Sequence, residues 1–104
     1  MPKIAELADD VINLVADELE VPRELILSKS RTAETVDARH MAVKLLHYRN
    51  VYPSRIATLF GLTPRSVHYV ITSFDARLQT NRSLRNSYAK LAKRLGENCE
   101  TIAK

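Results

Sequence analysis

The sequence predicts an all-α fold, a compact bundle of about six helices that contains a helix-turn-helix. Apolar residues recur at helical spacing along most of the chain, and no alternating strand pattern of useful length appears. The 104 residues include only two Gly and four Pro, so few positions interrupt a helix. Because this length supplies one modest core, we expect residues 1–96 to form a single domain and residues 97–104 a frayed tail.

Three helices are predicted before the motif. The first covers roughly residues 3–19, has an apolar face opposite an acidic one, and ends at Val21-Pro22. A short second helix begins at this proline, and a third runs from about Thr35 to Asn50. The residues expected to face the core in the first and third helices are Ile4, Leu7, Ala8, Val11, Val15, Leu19, Val36, Ala38, Ala42, Leu45 and Leu46.

Residues 53–78 carry the signature of a helix-turn-helix. Gly61 stands where the chain must leave the first helix, at a position that favours a left-handed residue. Thr63 can cap the second helix through its hydroxyl, and Pro64 then takes the first helical position, where a missing N–H does no harm. The two boundaries of the turn are therefore well marked.

The spacing of small and apolar residues in this segment matches the general DNA-binding pattern. Counted from Ala57, Gly61 follows after four residues, Val67 after ten and Val70 after thirteen. In proteins with this pattern the second helix enters the major groove. The simpler interpretation is an ordinary helical hairpin with a solvated face.

The second motif helix separates a core face from a polar face. The core face is predicted to hold Val67, Ile71, Phe74 and Leu78. The opposite face holds Arg65, Ser66, Tyr69 and Thr72. This face offers hydrogen-bond donors and an aromatic ring but no carboxylate, which suits contact with phosphates and base edges.

A last helix is predicted from about Asn81 to Leu95, with Gly96 as its stop. Cys99 is the only cysteine, so an intramolecular disulfide is impossible, and a reducing, cytoplasmic setting associated with the nucleoid is expected. No signal peptide and no apolar run of membrane-spanning length is expected, and therefore no membrane partner.

The charges are segregated along the chain. Residues 1–25 hold two basic and seven acidic side chains, whereas residues 29–94 hold thirteen basic and three acidic ones. A basic body around a helix-turn-helix is typical of a protein that neutralises phosphates. The alternative is a surface that is merely basic and soluble.

Catalysis and metal binding are not predicted. His40 and His47 share a helix face but lack the nearby cysteine or carboxylate that a metal site needs. Cys99 has no histidine at a spacing typical of a cysteine nucleophile and its base. Two isolated glycines cannot form a phosphate-binding loop. We expect no enzyme activity, no cofactor and no metal.

The stretch from Leu25 to Leu95 resembles the C-terminal, origin-binding domain of the bacterial replication initiator DnaA, a helical domain related to the Trp-repressor fold. The similarity lies in the basic loop Leu27-Ser28-Lys29-Ser30-Arg31, in the long helix with Ala38-Arg39 and Met41-Ala42, and in Ile56-Ala57 with Phe60-Gly61. We expect no counterpart of the initiator's ATPase domain in this chain. The resemblance implies a DNA-binding domain without a motor.

The resemblance also implies roles for individual residues. Arg31 matches an arginine that reaches into the minor groove, Arg39 matches one that contacts the backbone near the bases, and His47 takes a position facing DNA. A surface ion pair with Asp37 or Glu34 is the structural alternative for Arg39. The complete set of predicted DNA-binding residues is Lys29, Arg31, Arg39, His40, His47, Arg55, Thr63, Arg65, Ser66, Tyr69 and Thr72.

One departure from the family concerns base recognition. Family members carry an Asp-His-Thr-Thr run at the entry to the recognition helix, whereas this chain has Thr63-Pro64-Arg65-Ser66 after a turn shorter by one residue. Neither the acidic nor the histidine side chain of that run is present. The family's usual A/T-rich box is therefore not carried over to this chain.

Two functions remain open from the sequence. The first is sequence-specific binding of double-stranded DNA by a monomeric bacterial regulator of replication or transcription. The second is a protein-protein interaction module whose acidic helix, residues 1–20, docks a partner while DNA binding is incidental. The acid-free face of the second motif helix favours the first.

Arg31→Ala is expected to weaken binding and also to reduce the preference for A/T-rich steps beside the core site, because a guanidinium fits a narrow minor groove. Lys29→Ala should weaken binding alone and lower the log-log salt slope by about 1. Titrations on duplexes that differ only in their flanks measure both effects. An unchanged flank preference in the Arg31 variant would contradict the minor-groove role.

Overall fold

The protein is described by a computed structural model that covers the backbone of residues 4–28 and 32–103 and the side chains of residues 6–28 and 32–95. Within these ranges the chain is entirely helical apart from turns and short connections, which confirms the predicted all-α fold. The helices are α1 (Ile4–Leu19), α2 (Arg23–Ile26), α3 (Ala33–Tyr48), α4 (Pro53–Phe60), α5 (Pro64–Thr80) and α6 (Arg82–Ala103).

Two predicted helix boundaries are wrong. Helix α3 begins at Ala33 rather than near Thr35, because the Thr32 hydroxyl accepts a hydrogen bond from the Thr35 N–H at 3.3 Å and caps the helix earlier. Helix α6 continues through Gly96 to Ala103. A single interior glycine costs only about 1 kcal/mol relative to alanine, which is too little to end a helix by itself.

Three helices end in the same way, with a residue in the left-handed conformation followed by an apolar one. Glu20, Asn50 and Gly61 have φ angles of 55°, 67° and 66°. The N–H of the next residue then returns to a carbonyl five residues earlier: Val21 to Ala16 at 3.1 Å, Val51 to Leu46 at 3.0 Å, and Leu62 to Ala57 at 2.8 Å. This arrangement is the Schellman turn, which satisfies carbonyls that a helix end otherwise leaves open.

A proline follows each Schellman turn and starts the next helix. Pro22 is the N-cap of α2, whereas Pro53 and Pro64 stand in the first turns of α4 and α5. Proline cannot continue the preceding helix, and its fixed φ suits the first position of the following one. The chain therefore passes from one helix to the next within three or four residues at each junction.

Helix α3 lies at the centre of the bundle and contacts α1, α2, α4 and α5. Three consecutive residues, Met41, Ala42 and Val43, are fully buried, as expected for a helix surrounded by others. The buried surface of α3 is therefore wider than the apolar face predicted for this helix from the sequence. Thr35 is buried as well, whereas Val36, which was predicted for the core, is only half-buried.

Helices α3 and α6 separate α1 from α5. Helix α1 packs its buried residues Ala8, Val11, Ile12 and Val15 on α3 and α6, and α5 packs on the same two helices. The α5–α6 contact includes an edge-to-face pair between Phe74 and Tyr88, with ring centroids 6.1 Å apart. Because Phe74 is on the buried side of α5, α6 lies behind α5 as seen from the opposite, solvent side of that helix.

Gly61→Ala is expected to lower the free energy of unfolding by about 1 kcal/mol, the cost of a left-handed L-residue. No heavy atom lies within 4 Å of the position that a Cβ at Gly61 would take, so the loss comes from the backbone alone. Gly61→Asn should lose less, because asparagine tolerates this conformation. Urea denaturation measures both variants, and an Ala variant as stable as the parent would contradict the assigned turn.

Candidate nucleic-acid interface

The start of α5 is fixed by a side-chain cap. The Thr63 hydroxyl oxygen accepts a hydrogen bond from the Ser66 N–H at 3.1 Å, and Pro64 is the first residue of the helix. This confirms Thr63 as the cap predicted from the sequence. It also commits the Thr63 hydroxyl to the helix, so any part that Thr63 takes in binding is shared with capping.

The solvent side of α5 is uncovered. Tyr69 is 71% exposed, and all four predicted residues of this outward face, Arg65, Ser66, Tyr69 and Thr72, are exposed. The Thr72 hydroxyl donates to the His68 carbonyl at 3.0 Å, within the same helix. The outward face therefore combines a cation, hydroxyl groups and an aromatic ring.

No carboxylate disturbs this face. The one acidic residue of α5, Asp75, lies to the side and pairs with Lys44 of α3 at 2.7 Å. On the other side of the helix Arg77 pairs with Asp37 at 2.6 Å. Both ion pairs tie α5 to α3, so they orient α5 and neutralise charges that flank its outward face.

The ion pairs divide the basic side chains into two groups. Five of them are paired with carboxylates: Arg23 with Asp9, Lys44 with Asp75, Arg77 with Asp37, Lys90 with Glu18 and Arg94 with Asp17. Among the residues whose side chains are described, those with no carboxylate within ion-pair distance include Arg49, Arg55, Arg65, Arg82, Arg85 and Lys93. Two of these, Arg55 and Arg65, are exposed on the helix-turn-helix.

Arg39 faces backbone carbonyls at the end of α2. Its Nε donates to the Ile26 carbonyl at 3.0 Å, and its Nη2 donates to the Ser28 carbonyl at 2.6 Å. Burial lowers the pKa of Arg39 from its ordinary value. The guanidinium thus holds the residues that immediately precede Lys29, which is a positioning role that the sequence did not suggest.

His40 is half-buried beside α5. Burial lowers the pKa of His40, and the nearby Arg77 and Arg39 cations lower it further, whereas Asp37 acts in the opposite direction. The folded protein therefore favours the neutral imidazole. A neutral ring can still donate one hydrogen bond and accept another, although it adds no charge toward a phosphate.

The other predicted residues lie in different places. His47 is exposed in the last turn of α3, and Arg55 is exposed on α4. Lys29 and Arg31 lie outside the described residues. The structure therefore brings together the predicted residues of α5 and leaves the relation of the basic loop to them as a prediction.

Tyr52 is a candidate that sequence reasoning missed. It is 75% exposed at the N-cap of α4, where it makes no side-chain capping bond. The first N–H groups of a helix favour an anion, and a tyrosine hydroxyl beside them can bind a phosphate. The sequence signal that could have indicated Tyr52 was an aromatic residue directly before Pro53, at the start of a short amphipathic helix.

The described residues include no helix long and apolar enough to cross a bilayer. They also hold no group of three or more His, Cys, Asp or Glu side chains arranged to bind a metal ion.

The fold and the exposed polar face of α5 define a small helix-turn-helix domain. Over 73 residues the chain is 36% identical to the chromosomal replication initiator protein DnaA from two strains of Leptospira biflexa serovar Patoc. The aligned region covers 69% of this chain and only 17% of the initiator, so the chain spans about a sixth of its relatives' length. No family model matches. The similarity confirms the resemblance to DnaA and is consistent with a region like its C-terminal domain.

The pKa of His40 makes stability depend on pH. As the pH falls below about 6.5, the unfolded chain takes up a proton that the folded chain resists, so the free energy of unfolding should decrease. His40→Gln should flatten this decrease below about pH 6.5. Thermal unfolding across this range, with NMR titration of the His40 ring, provides the measurement. A His40 ring that titrates above its ordinary pKa would contradict the assignment.

Proposed function

We propose that this chain binds double-stranded DNA in a sequence-specific manner through α4 and α5, as a non-enzymatic module in replication or transcription. The observation that carries this proposal is the outward face of α5. It is capped at Thr63, backed by Val67, Ile71 and Phe74 in the core, and free of acidic side chains. A polar, rigidly supported helix face of this composition fits the major groove.

The similarity to DnaA supports the same proposal. The relatives are named as chromosomal replication initiators, and this chain matches one limited region of them. Because the match covers a small part of the initiator, a role in replication is proposed for the DNA-binding step alone. The predicted monomeric state agrees with a single helix-turn-helix that binds one site.

The residues of the interface take different parts in this proposal. Arg65, at the second position of α5, is placed to donate two hydrogen bonds to the O6 and N7 atoms of a guanine. Tyr69 lies one turn later, where its ring can pack on a thymine methyl group. Arg55 and Tyr52 on α4 supply phosphate contacts, which fix the register but do not select bases.

Arg39 acts in this scheme through the basic loop. Its hydrogen bonds to the carbonyls of Ile26 and Ser28 hold the end of α2 against α3. These hydrogen bonds fix the point at which the chain enters the basic loop. Arg39 is therefore a positioning residue in this proposal.

The acidic first helix gives less support to an interaction module. Its apolar face is buried against α3 and α6, so a partner would have to dock on polar residues. Three of its carboxylates, Asp9, Asp17 and Glu18, are already engaged with Arg23, Arg94 and Lys90. The helix serves first as part of the fold.

Arg65→Ala is expected to weaken binding to the preferred duplex by about 1 to 3 kcal/mol, with a much smaller loss on random DNA. Discrimination should be lost at one G·C pair, because the side chain no longer contacts that base. Selection from random duplexes identifies the preferred site. Fluorescence anisotropy on matched and singly substituted duplexes then measures the change.

Arg65→Lys is the matched control, since it keeps the charge but loses the paired donors of the guanidinium. If Arg65 only neutralises phosphate, the Lys variant keeps nearly full affinity and the Ala variant weakens specific and random binding alike. That result would reject base reading by Arg65. Circular dichroism of both variants checks that the helices remain folded.

A further inference from the structure

The solvent side of α6 carries a basic stripe that the helix-turn-helix does not use. Its cations are Arg82, Arg85 and Lys93, and Asn86 lies between them on the same side of the helix. Ala89 stands at the centre of the stripe and is exposed. All four polar side chains are exposed, and we refer to them as the α6 stripe.

The α6 stripe differs from the other basic residues of the same helix. Lys90 and Arg94 turn toward α1 and lie 3.5 Å and 3.6 Å from the carboxylates of Glu18 and Asp17. The three cations of the α6 stripe have no carboxylate within ion-pair distance among the described side chains. The first acidic residue of α6 in the sequence is Glu97, one turn beyond Lys93.

The composition of the α6 stripe favours a phosphate backbone over a protein. A protein interface usually has an apolar or aromatic centre, whereas the centre here is the small Ala89. Ser83, Asn86 and Lys90, next to Arg82, line a shallow concavity with hydrogen-bond donors. Arg82 and Lys93 are about 16 Å apart along the helix. A duplex of that length carries about ten phosphate charges.

The position of α6 separates the stripe from the outward face of α5. Phe74 on the buried side of α5 contacts Tyr88 on α6, so α6 lies one helix layer behind the recognition helix. Packed helix axes are about 8 to 10 Å apart. The stripe also points away from α1 and from the core residues Leu91 and Leu95. The α6 stripe and the outward face of α5 therefore lie on two different helices, and the side chains of Phe74 and Tyr88 pack between those helices.

We propose that the α6 stripe binds the phosphate backbone of a second DNA duplex, so that one copy of the chain bridges two DNA segments. This inference rests on the proposed function, since the first duplex is bound by the helix-turn-helix. The α6 contact has no groove-reading element, so it is independent of base sequence and strongly dependent on salt.

A bridging assay with a substitution at the centre of the stripe tests the proposal. One duplex carrying the preferred site is fixed to beads, and capture of a second, labelled duplex of random sequence is measured with the full chain. Ala89→Glu should reduce capture about ten-fold, because it places a carboxylate against phosphates. Ala89→Gln is the uncharged counterpart of this variant. It should capture the second duplex to the same extent as the parent chain. Both variants should bind the fixed duplex with unchanged affinity.

Three results would contradict the proposal. Equal capture by the Glu and Gln variants overturns the proposal. So does sedimentation showing that the free protein self-associates and that Ala89→Glu disperses it, since the stripe would then bind the acidic side of another copy. If Arg65→Ala leaves single-duplex binding intact and Ala89→Glu abolishes it, the helix-turn-helix proposal fails and α6 is the duplex-binding surface.

Discussion

The bundle depends on how its helices end. An α-helix leaves four carbonyls without partners at its C-terminus, and a connection of three or four residues offers little room to satisfy them. At the ends of α1, α3 and α4 one residue takes the left-handed conformation, and the apolar residue that follows is buried or packs against the core. Each turn thereby anchors the next helix to the core, and the angle between α4 and α5 follows from the turn at Gly61.

The outward face of α5 owes its exposure to the contacts on the opposite side of that helix. The buried side of α5 contacts α3 and α6, and ion pairs with Lys44 and Asp37 hold it on both flanks. Because packing and electrostatics fix the helix from one side, its other side needs no contact with the protein. Helix α3 also carries Arg39, which donates hydrogen bonds to the carbonyls at the end of α2. The same central helix thus supports both the α5 face and the start of the basic loop.

Features set by local chemistry were predictable from the sequence. The turn at Gly61, the cap at Thr63 and the polar face of α5 depend on residues within a few positions of one another. The left-handed conformations of Glu20 and Asn50 were not predicted, because the burial of Val21 and Val51 that favours them is a tertiary contact. The role of Arg39 was missed for the same reason, since its carbonyl partners lie eleven to fourteen residues earlier. Which predicted residues touch DNA is a matter for binding experiments.

The acidic first helix gives the molecule an electric dipole. Helix α1 lies across α3 and α6 from α5, so negative charge is concentrated on one side of a basic body. In the field of a polyanion such a molecule experiences a torque that turns α1 away from the polyanion. Ionic strength weakens this orientation once the Debye length falls to about 10 Å, near 0.1 M salt. The orientation of the molecule in the field of a polyanion therefore depends on the direction of its charge asymmetry as well as on its net charge of +4.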